Sequence, residues 1–451
     1  MALQFGTDGI RGVANSQLSP EVALALGRAA VEVLGGELFV IGADTRRSGP
    51  MIEGALTAGI CSVGADVESL GIVPTPAVAW ASADRHAAAA MISASHNPFA
   101  DNGIKLFASG GSKLSDDLEA RIEKRYLELL QRPPEGDGEQ QTIRSATAVG
   151  TRRPTAGVGG WIDLITGSVS PGALRGARLV LDCANGAASE LGPEPFRRLG
   201  AEVVVIGDQP DGSNINDGFG STDTAALQAK VVEVDAIAGL ALDGDADRLI
   251  AVDERGLVVD GDRVLAILAA NWSATGRLRN NTVVVTVMTN LGFHRAMADL
   301  GIAVMSTSVG DRYVLAALDE HRLSLGGEQS GHVICRDLAS TGDGILTAVQ
   351  LLDVVVGSER PFSQLADGVM DRVPQVLENV RLARGEADPA SALAEHVAKT
   401  EAAFGADGRV LVRASGTEPL LRIMVEHLDP DVAQRACDRL VEAAKQLLRV
   451  E

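Results

Sequence analysis

One pattern of strand, turn, helix, glycine and strand recurs three times along the 451-residue chain. Its copies begin at the apolar runs ELFVIGAD (37–44), ARLVLDCANG (177–186) and NTVVVTVMTN (281–290), and each copy ends in a second β-rich run. A strand, a helix and a second strand in this order favour a β-α-β unit with parallel strands. The recurrence therefore predicts three related α/β domains built on largely parallel sheets.

The tail of the chain has a different pattern and predicts a fourth, smaller α+β domain. The run RVLVRASGTEPLLRIMVE (409–426) predicts two strands around a polar loop, and a helix is expected from about 430 to 448. The polar segment 131–157, rich in Gly and Pro, indicates a linker after the first domain. These patterns place the four predicted domains at 1–150, 151–258, 259–370 and 371–451.

The net charge of −20 argues against a nucleic-acid partner and against an anionic membrane surface. An anionic small ligand stays open, because a few convergent Arg and Lys side chains suffice to bind it. No signal peptide is visible at the start, and the apolar run VLAILAANW is too short to span a membrane. The four cysteines form no C-x-x-C pair, so we expect reduced thiols in a cytoplasmic protein.

The acidic segment DGDADR (243–248) follows the apolar strand AIAGLAL and is a candidate metal site. Asp243, Asp245 and Asp247 would repel one another unless a cation lay between them, and their hard oxygens favour Mg²⁺ over Zn²⁺. An EF-hand would need glycine where Arg248 stands, and helices on both sides where strands are expected. A solvated acidic turn is the remaining alternative.

The segment MISASHNPFADNGIKLF (91–107) places a hydroxyl, an imidazole and an ammonium in one tight loop. Pro98 favours an extended chain before it, and the DNG turn reverses the chain, so Lys105 is expected near Ser95. No G-x-S-x-G elbow surrounds Ser95 and His96. The open alternatives are an ordinary hydrogen-bonded loop and a phosphoryl group on Ser95 beside the metal.

Further loops offer polar groups for a phosphate or a sugar. RASGTEPLLR (413–422) can direct hydroxyls, N–H groups and guanidinium forks at one phosphate. GGEQSGH (326–332) alternates three polar residues, which predicts an extended loop with all three on one side. VGDRY (309–313) and FGTDGIRG near the start each add an arginine. An ordinary polar turn is an alternative explanation for the first two of these segments.

Taken together, these loops resemble the α-D-phosphohexomutase family, and in detail the branch that acts on glucosamine phosphates. The matching motifs occur in the family's order along the whole chain: FGTDGIRG, ISASHNPFADNGIK, DGDADR, VGDRYV, GGEQSGH and RASGTEPLLRIMVE. The resemblance implies a four-domain architecture, with three related α/β mixed-sheet domains and a C-terminal α+β domain around a central cleft.

The activity implied by the resemblance is interconversion of glucosamine 6-phosphate and glucosamine 1-phosphate. It would proceed through a phosphoserine enzyme and a bisphosphorylated sugar, and would feed UDP-N-acetylglucosamine and cell-wall precursor synthesis. A mutase for mannose or glucose phosphates is the alternative. A homodimer is kept open as the assembly.

The resemblance also implies a role for each matching residue. One Mg²⁺ would be held by Asp243, Asp245, Asp247 and the phosphate on Ser95. The groups expected beside the transferred phosphoryl are Ser95, Lys105, Arg11, His96 and His332. The sugar phosphate is expected to contact Arg248, Arg312, Glu328, Ser330, Arg413, Ser415, Gly416, Thr417 and Arg422.

Two of these expectations depend on local physical conditions. Lys105 is the stronger candidate for proton transfer, and we expect Arg11 and Mg²⁺ to lower its pKa. Ala246 stands where the glucosamine branch usually has glycine, and it is expected to be tolerated if its φ is negative.

Overall fold

The structure of the chain is a computed structural model. It describes residues 3–6, 8–131, 148–383, 389–414 and 420–449. Within these ranges the strands form four sheets, in sequential parts of the chain. The first three are mixed and the last is antiparallel, which confirms the predicted fold class.

The first sheet has a parallel centre and antiparallel strands on one side. Its strands are β1 (Phe5–Gly6), β2 (Gly9–Val13), β3 (Leu38–Ala43), β4 (Asp66–Ile72), β5 (Ala88–Ile92), β6 (Asp101–Ala108), β7 (Ser112–Lys113) and β8 (Arg152–Arg153). The accompanying helices are α1 (Pro20–Leu34), α2 (Gly49–Ser62), α3 (Thr75–Asp84) and α4 (Asp116–Gln131). The strand order is β1-β2-β6-β5-β3-β4-β8, with β7 paired to β6.

The second and third sheets repeat this plan on a smaller scale. The second comprises β9 (Arg178–Asp182), β10 (Glu202–Ile206), β11 (Ala238–Leu242), β12 (Leu249–Asp253) and β13 (Val258–Val259), with α5 (Gly159–Gly167), α6 (Pro193–Arg198) and α7 (Ala225–Glu233). The third comprises β14 (Thr282–Thr286), β15 (Ala303–Thr307), β16 (Leu325–Gly327) and β17 (Val333–Cys335). Its helices are α8 (Gly261–Ala274), α9 (Leu291–Asp299), α10 (Asp311–His321), α11 (Gly344–Gly357) and α12 (Phe362–Val369), with a 3₁₀ turn at Arg279–Asn281.

In each of these sheets a parallel strand is followed by an antiparallel neighbour. The pairs are β5 with β6, β11 with β12 and β16 with β17. The connection within each pair lies at the carboxyl end of a parallel strand, where α/β sheets usually bind ligands. These three connections carry Ser95, the aspartates of 243–248, and the 328–332 loop.

The C-terminal sheet has three strands and two helices. They are β18 (Gln375–Arg381), β19 (Gly408–Ala414), β20 (Leu420–His427), α13 (Ala394–Phe404) and α14 (Pro430–Leu447), with a 3₁₀ turn at Ser391–Leu393. The predicted pair of strands and the terminal helix are confirmed, whereas β18 and α13 were not predicted. Helix α14 begins at Pro430 because the Asp429 carboxylate accepts hydrogen bonds from the first-turn N–H groups.

One cluster of buried apolar residues continues through the first three sheets, and further clusters lie within the individual domains of these sheets. The C-terminal domain has a separate cluster, which includes Leu421, Ile423, Cys437 and Leu440. This division leaves the tail domain with a core of its own, as expected for a unit that can move as one body. No helix among the described residues combines the length and apolar character that crossing a membrane requires.

A buried carboxylate joins the C-terminal domain to the third. Glu426 in β20 accepts hydrogen bonds from Asn290 Nδ2 (2.8 Å) and from the Leu291 N–H (3.1 Å), at the start of α9. Its charge lies at a helix N-terminus, where an anion is stabilised, and Arg409 Nε is 2.5 Å from its Oε2 atom. Asn290 also donates to the Val373 carbonyl in the connection between the two domains.

Glu426→Gln should loosen this joint without unfolding either domain, because an amide supplies one acceptor oxygen in place of two. The lost charge-assisted bonds contribute about 2 kcal/mol. Hydrogen exchange followed by mass spectrometry should therefore be faster in the first turn of α9 and in β20. Glu378→Gln, an exposed change on the neighbouring β18, is the control. Equal exchange in the two variants would contradict the role of Glu426.

Candidate active site

Three buried carboxylates lie at the carboxyl end of β11. Asp243, Asp245 and Asp247 are 0%, 0% and 4% exposed, and each offers an oxygen within 4.8 Å of the other two. The short connection to the antiparallel β12 produces this geometry, since three acids share one tight turn. The strands on both sides exclude the EF-hand alternative, and the burial excludes a solvated turn.

These residues fit a hard divalent cation. Asp245 Oδ1 and Asp247 Oδ1 are buried and accept no hydrogen bond from the described residues. Burial raises the pKa of Asp243 well above its usual value, and the negative charges of Asp247 and Asp245 raise it further. A bound Mg²⁺ would offset both effects, because it prefers carboxylate oxygens and neutralises their repulsion.

Ser95 lies beside this triad, although it belongs to the first sheet. It is 1% exposed, and its Oγ donates a hydrogen bond to Asp243 Oδ2. The two loops approach so closely that a Cβ on Gly244 would lie 2.5 Å from the Ser95 carbonyl oxygen. Glycine is therefore required at position 244 for the serine to reach the acids.

Lys105 is also at the triad, where it contacts three carboxylates. Its Nζ lies 2.7 Å from Asp245 Oδ2, 3.2 Å from Asp247 Oδ2 and 2.7 Å from Asp8 Oδ2. Burial and Arg11 lower the pKa of Lys105, but the three carboxylates outweigh them and raise it well above the usual value. Arg11 thus acts in the predicted direction, the sequence argument omitted Asp8 and the direct contacts with the triad, and the lowering by Mg²⁺ stays a prediction.

A chain of alternating charges extends from Lys105 toward the third domain. Asp8 lies 2.8 Å from Lys113 Nζ through its other oxygen, and Lys113 also forms an ion pair with Asp311. Asp311 Oδ2 lies 3.3 Å from Nε2 of His332. Sequence reasoning missed Lys113 and Asp311, although Asp311 lies within the VGDRY segment.

His332 links this series of charges to the turn that carries the three aspartates. Its Nδ1 lies 3.6 Å from Asp247 Oδ1, and the ring is 3% exposed. Burial lowers the pKa of His332, but Asp311 and Asp247 raise it above its ordinary value overall. The structure thus brings His332 to the triad, and its role beside the transferred phosphoryl stays a prediction.

Arg11, His96 and Arg248 surround the serine. Arg11 lies 2.5 Å from Asp8 and donates to the Ala94 carbonyl, and His96 Nδ1 is 3.3 Å from Ser95 Oγ. Burial, together with the cationic Arg248 and Arg11, lowers the pKa of His96 to about 4, so the imidazole is neutral at pH 7. The Arg248 guanidinium is within 4.0 Å of two triad carboxylates.

The 328–332 segment is a tight hairpin turn rather than the extended loop that its alternation predicted. The Glu328 N–H donates to the His332 carbonyl (3.0 Å), and the Gly331 N–H donates to the Glu328 carbonyl (3.0 Å). The reversal buries His332 and leaves Ser330 exposed, so the three polar side chains do not share one side. The alternation argument failed because β16 and β17 pair across the segment.

Glu328 and Arg413 are linked through their charges. Burial and the charge of Arg422 lower the pKa of Arg413, whereas Glu328 raises it. Arg413 and Arg422 face each other across β19 and β20, as their positions predicted. The predicted phosphate-binding Ser415, Gly416 and Thr417 lie outside the described residues.

Arg312 and Ala246 were also singled out from the sequence. Arg312 forms ion pairs with Asp116 (2.5 Å) and Glu119 (3.1 Å) of α4, at the contact between the third and first domains. Ala246 has a φ of 60°, so the condition of a negative φ, on which its expected tolerance depended, is not met. A non-glycine residue in this left-handed region is strained by roughly 1 kcal/mol.

Sequence models of the phosphoglucomutase/phosphomannomutase family match four consecutive parts of the chain. Those of α/β/α domains I, II and III match residues 2–132, 160–256 and 260–373, and that of the C-terminal domain matches 377–443. The matched ranges cover most of the chain in the family's order.

Individual proteins are similar over their whole length. The chain is 49% identical to a phosphoglucosamine mutase of Saccharopolyspora erythraea, over 98% of this chain and 99% of the relative. It is 50% identical to that of Symbiobacterium thermophilum over the full length of both. A solved phosphoglucomutase/phosphomannomutase family protein of Burkholderia thailandensis superposes with a TM-score of 0.81, 26% identity and full coverage of both chains.

Asp245→Asn should weaken binding of a divalent ion, since it removes one charge from the triad and leaves its neighbours in place. We expect at least a tenfold weaker affinity for Mn²⁺ used as a probe, by titration with electron paramagnetic resonance. Asp223→Asn, an exposed change of the same charge in the second domain, should bind like the wild type. An unchanged titration for Asp245→Asn would count against the triad as the metal site.

Proposed function

The chain belongs to the phosphoglucomutase/phosphomannomutase family, and we propose that it interconverts glucosamine 6-phosphate and glucosamine 1-phosphate. The observation that carries this proposal is the buried hydrogen bond between Ser95 Oγ and Asp243. It places a hydroxyl that can carry a phosphoryl group against a triad suited to Mg²⁺. The close relatives named as phosphoglucosamine mutases favour glucosamine as the sugar over mannose or glucose.

The first half-reaction transfers a phosphoryl group from phosphorylated Ser95 to the free sugar hydroxyl. The bond between phosphorus and Ser95 Oγ breaks as a bond from the sugar oxygen to phosphorus forms. Asp243, Asp245 and Asp247 would hold Mg²⁺, which supplies neutralisation of the charge on the transferred group. Arg11 and Arg248 add positive charge beside the serine.

One proton leaves the sugar hydroxyl and one reaches Ser95 Oγ when the phosphoryl group is fully transferred. We assign this exchange to Lys105, whose ammonium is held by Asp8 and the triad. Its raised pKa keeps Lys105 protonated, so the ammonium is in place to give a proton to the departing serine oxygen, after which the neutral amine can accept the sugar proton. His332 lies close enough to Asp247 to support this step, and the neutral His96 contacts the serine oxygen.

The second half-reaction needs the bisphosphorylated sugar to turn around and return its other phosphate to Ser95. Both orientations would use one clamp for the phosphate that is not being transferred. The clamp comprises Arg413, Ser415, Gly416, Thr417 and Arg422. Its location on a domain with a separate core lets the clamp follow the reorienting sugar and exclude water.

Glu328 and Ser330 bind the sugar hydroxyls in this proposal, and Arg248 and Arg312 contact the substrate from the second and third domains. Glu328 is half-buried and accepts a hydrogen bond from the Gly310 N–H, which fixes one of its oxygens. Its charge acts on both Arg248 and Arg413. A ligand bound between these groups would therefore lie between the triad and the clamp.

The remaining proposals concern the setting of the reaction. We propose a cytoplasmic enzyme with a small sugar phosphate as its partner, without nucleic-acid or membrane binding. All four cysteines are free thiols, as a reducing compartment favours. The net charge of −20 opposes association with polyanions. The homodimer stays a prediction.

Ser95→Ala should abolish turnover of glucosamine 6-phosphate, because it removes the hydroxyl that stores the phosphoryl group in this proposal. Wild-type enzyme, activated with a sugar bisphosphate, should convert glucosamine 6-phosphate faster than mannose or glucose 6-phosphate in parallel assays. Ser16→Ala, an exposed change in the first domain, is the control. Turnover by Ser95→Ala would contradict the phosphoserine, and a preference for a neutral sugar would contradict the substrate.

Arg413→Ala should raise KM for glucosamine 6-phosphate by ten- to a hundredfold, as expected for loss of about 1.5–3 kcal/mol of charge-assisted bonding. Arg381→Ala, exposed on the same sheet, is the matched control. A KM that is unchanged by Arg413→Ala would remove this arginine from the clamp.

A further inference from the structure

We infer that Arg46 is a positioning residue that holds the Ser95 loop in its reactive conformation, through hydrogen bonds to four carbonyl groups of that loop. Arg46 follows β3 and Ser95 follows β5. These strands are adjacent and parallel, so their carboxyl ends lie at the same edge of the first sheet. The effect on catalysis rests on the proposed function, whereas the effect on the loop does not.

The guanidinium is enclosed by the loop that it binds. Arg46 is 1% exposed, and its Nη2 atom donates to the carbonyls of Ser95 (2.9 Å) and Asn97 (2.8 Å). Its Nη1 atom donates to the carbonyls of Asp101 (3.0 Å) and Pro98. Four carbonyl oxygens thus point toward one cation. Without the cation they would repel one another in this buried space.

A second set of bonds fixes the guanidinium itself. Asp44 Oδ2 accepts from Arg46 Nε (2.9 Å) and from Ser93 Oγ (2.7 Å). The Ser93 hydroxyl in turn accepts from the Ser95 N–H (2.9 Å). Arg46 and Asp44 therefore hold both the N–H and the carbonyl of the reactive serine.

The conformation held in this way is one that the loop would not adopt alone. Ser95 has a φ of 51°, in the left-handed region that costs a residue with a side chain about 1–2 kcal/mol. This backbone geometry accompanies the Oγ hydrogen bond to Asp243 in the second domain. Asn216, also in the second domain, donates to the same Ser95 carbonyl (2.9 Å) and so supports Arg46 from the other side.

A lysine at position 46 cannot form all of these hydrogen bonds. Its single ammonium carries three N–H groups at one point, whereas the planar guanidinium carries five over a fork. Arg46→Lys keeps the charge and most of the volume but cannot reach four carbonyls and Asp44 together. The variant therefore separates the positioning role from the need for a buried cation.

Arg46→Lys should slow phosphorylation of Ser95 by a sugar 1,6-bisphosphate about a hundredfold, measured by intact mass over time. The kcat for glucosamine 6-phosphate should fall in parallel while KM changes little. Amide exchange should become faster in residues 93–103 and stay unchanged in α2 and in the other domains. The control is Arg85→Lys, which alters a partly buried arginine that binds Glu68 and the Gly157 carbonyl away from the serine.

Phosphorylation of a folded Arg46→Lys variant at the wild-type rate would overturn the inference. An equal loss in Arg85→Lys would also overturn it, because the effect would then be general destabilisation. If Arg46→Lys does not fold, Asn216→Asp replaces the second donor by an acceptor. This variant should slow phosphorylation without a lower melting temperature, and an unchanged rate would contradict the role of the carbonyl contacts.

Failure of the proposed function gives a different result. In that case the wild-type enzyme does not turn over glucosamine 6-phosphate and Ser95 acquires no phosphoryl group. The exchange measurement on residues 93–103 would still test whether Arg46 orders the loop.

Discussion

The mutual repulsion of three buried carboxylates is the constraint on which the rest of this structure depends. Asp243, Asp245 and Asp247 are brought within 4.8 Å of one another in a turn with almost no access to water. Such an arrangement is stable only where positive charge or hydrogen-bond donors oppose it. Lys105 and the Ser95 hydroxyl supply part of that compensation from the first domain, so the site exists only when the domains are assembled.

The division of the core explains how one site can serve two orientations of a substrate. A continuous apolar cluster fixes the first three domains, and with them the distance between Ser95 and the triad. The C-terminal domain packs on its own cluster and is joined through polar contacts around Glu426. Polar joints of this kind can be remade at lower cost than an apolar core, which suits the movement of the clamp that we propose.

The sequence predicted the strands, the acidic triad and the nearness of Lys105 to the Ser95 loop, because each of these depends on a local pattern. Periodicity places a strand before Asp243, and three acids in five residues must then meet at its end. Partners distant in the sequence, such as Asp8 for Lys105 and the Ser95 carbonyl for Arg46, were out of reach, since only the sheet order brings them together. The prediction of an extended loop at 328–332 was wrong for a similar reason. Alternation predicts which side of a strand each residue faces, but it does not predict pairing across a hairpin.

The central claim is that a stored phosphoryl group on Ser95 lies against the ion held by the triad. The most direct test is electron–nuclear double resonance on enzyme loaded with Mn²⁺ and phosphorylated by a sugar bisphosphate, after removal of free sugar. Mn²⁺ binds the same oxygen ligands as Mg²⁺. The account predicts a ³¹P hyperfine coupling that disappears in Ser95→Ala. The absence of a coupling in phosphorylated wild-type enzyme would contradict it.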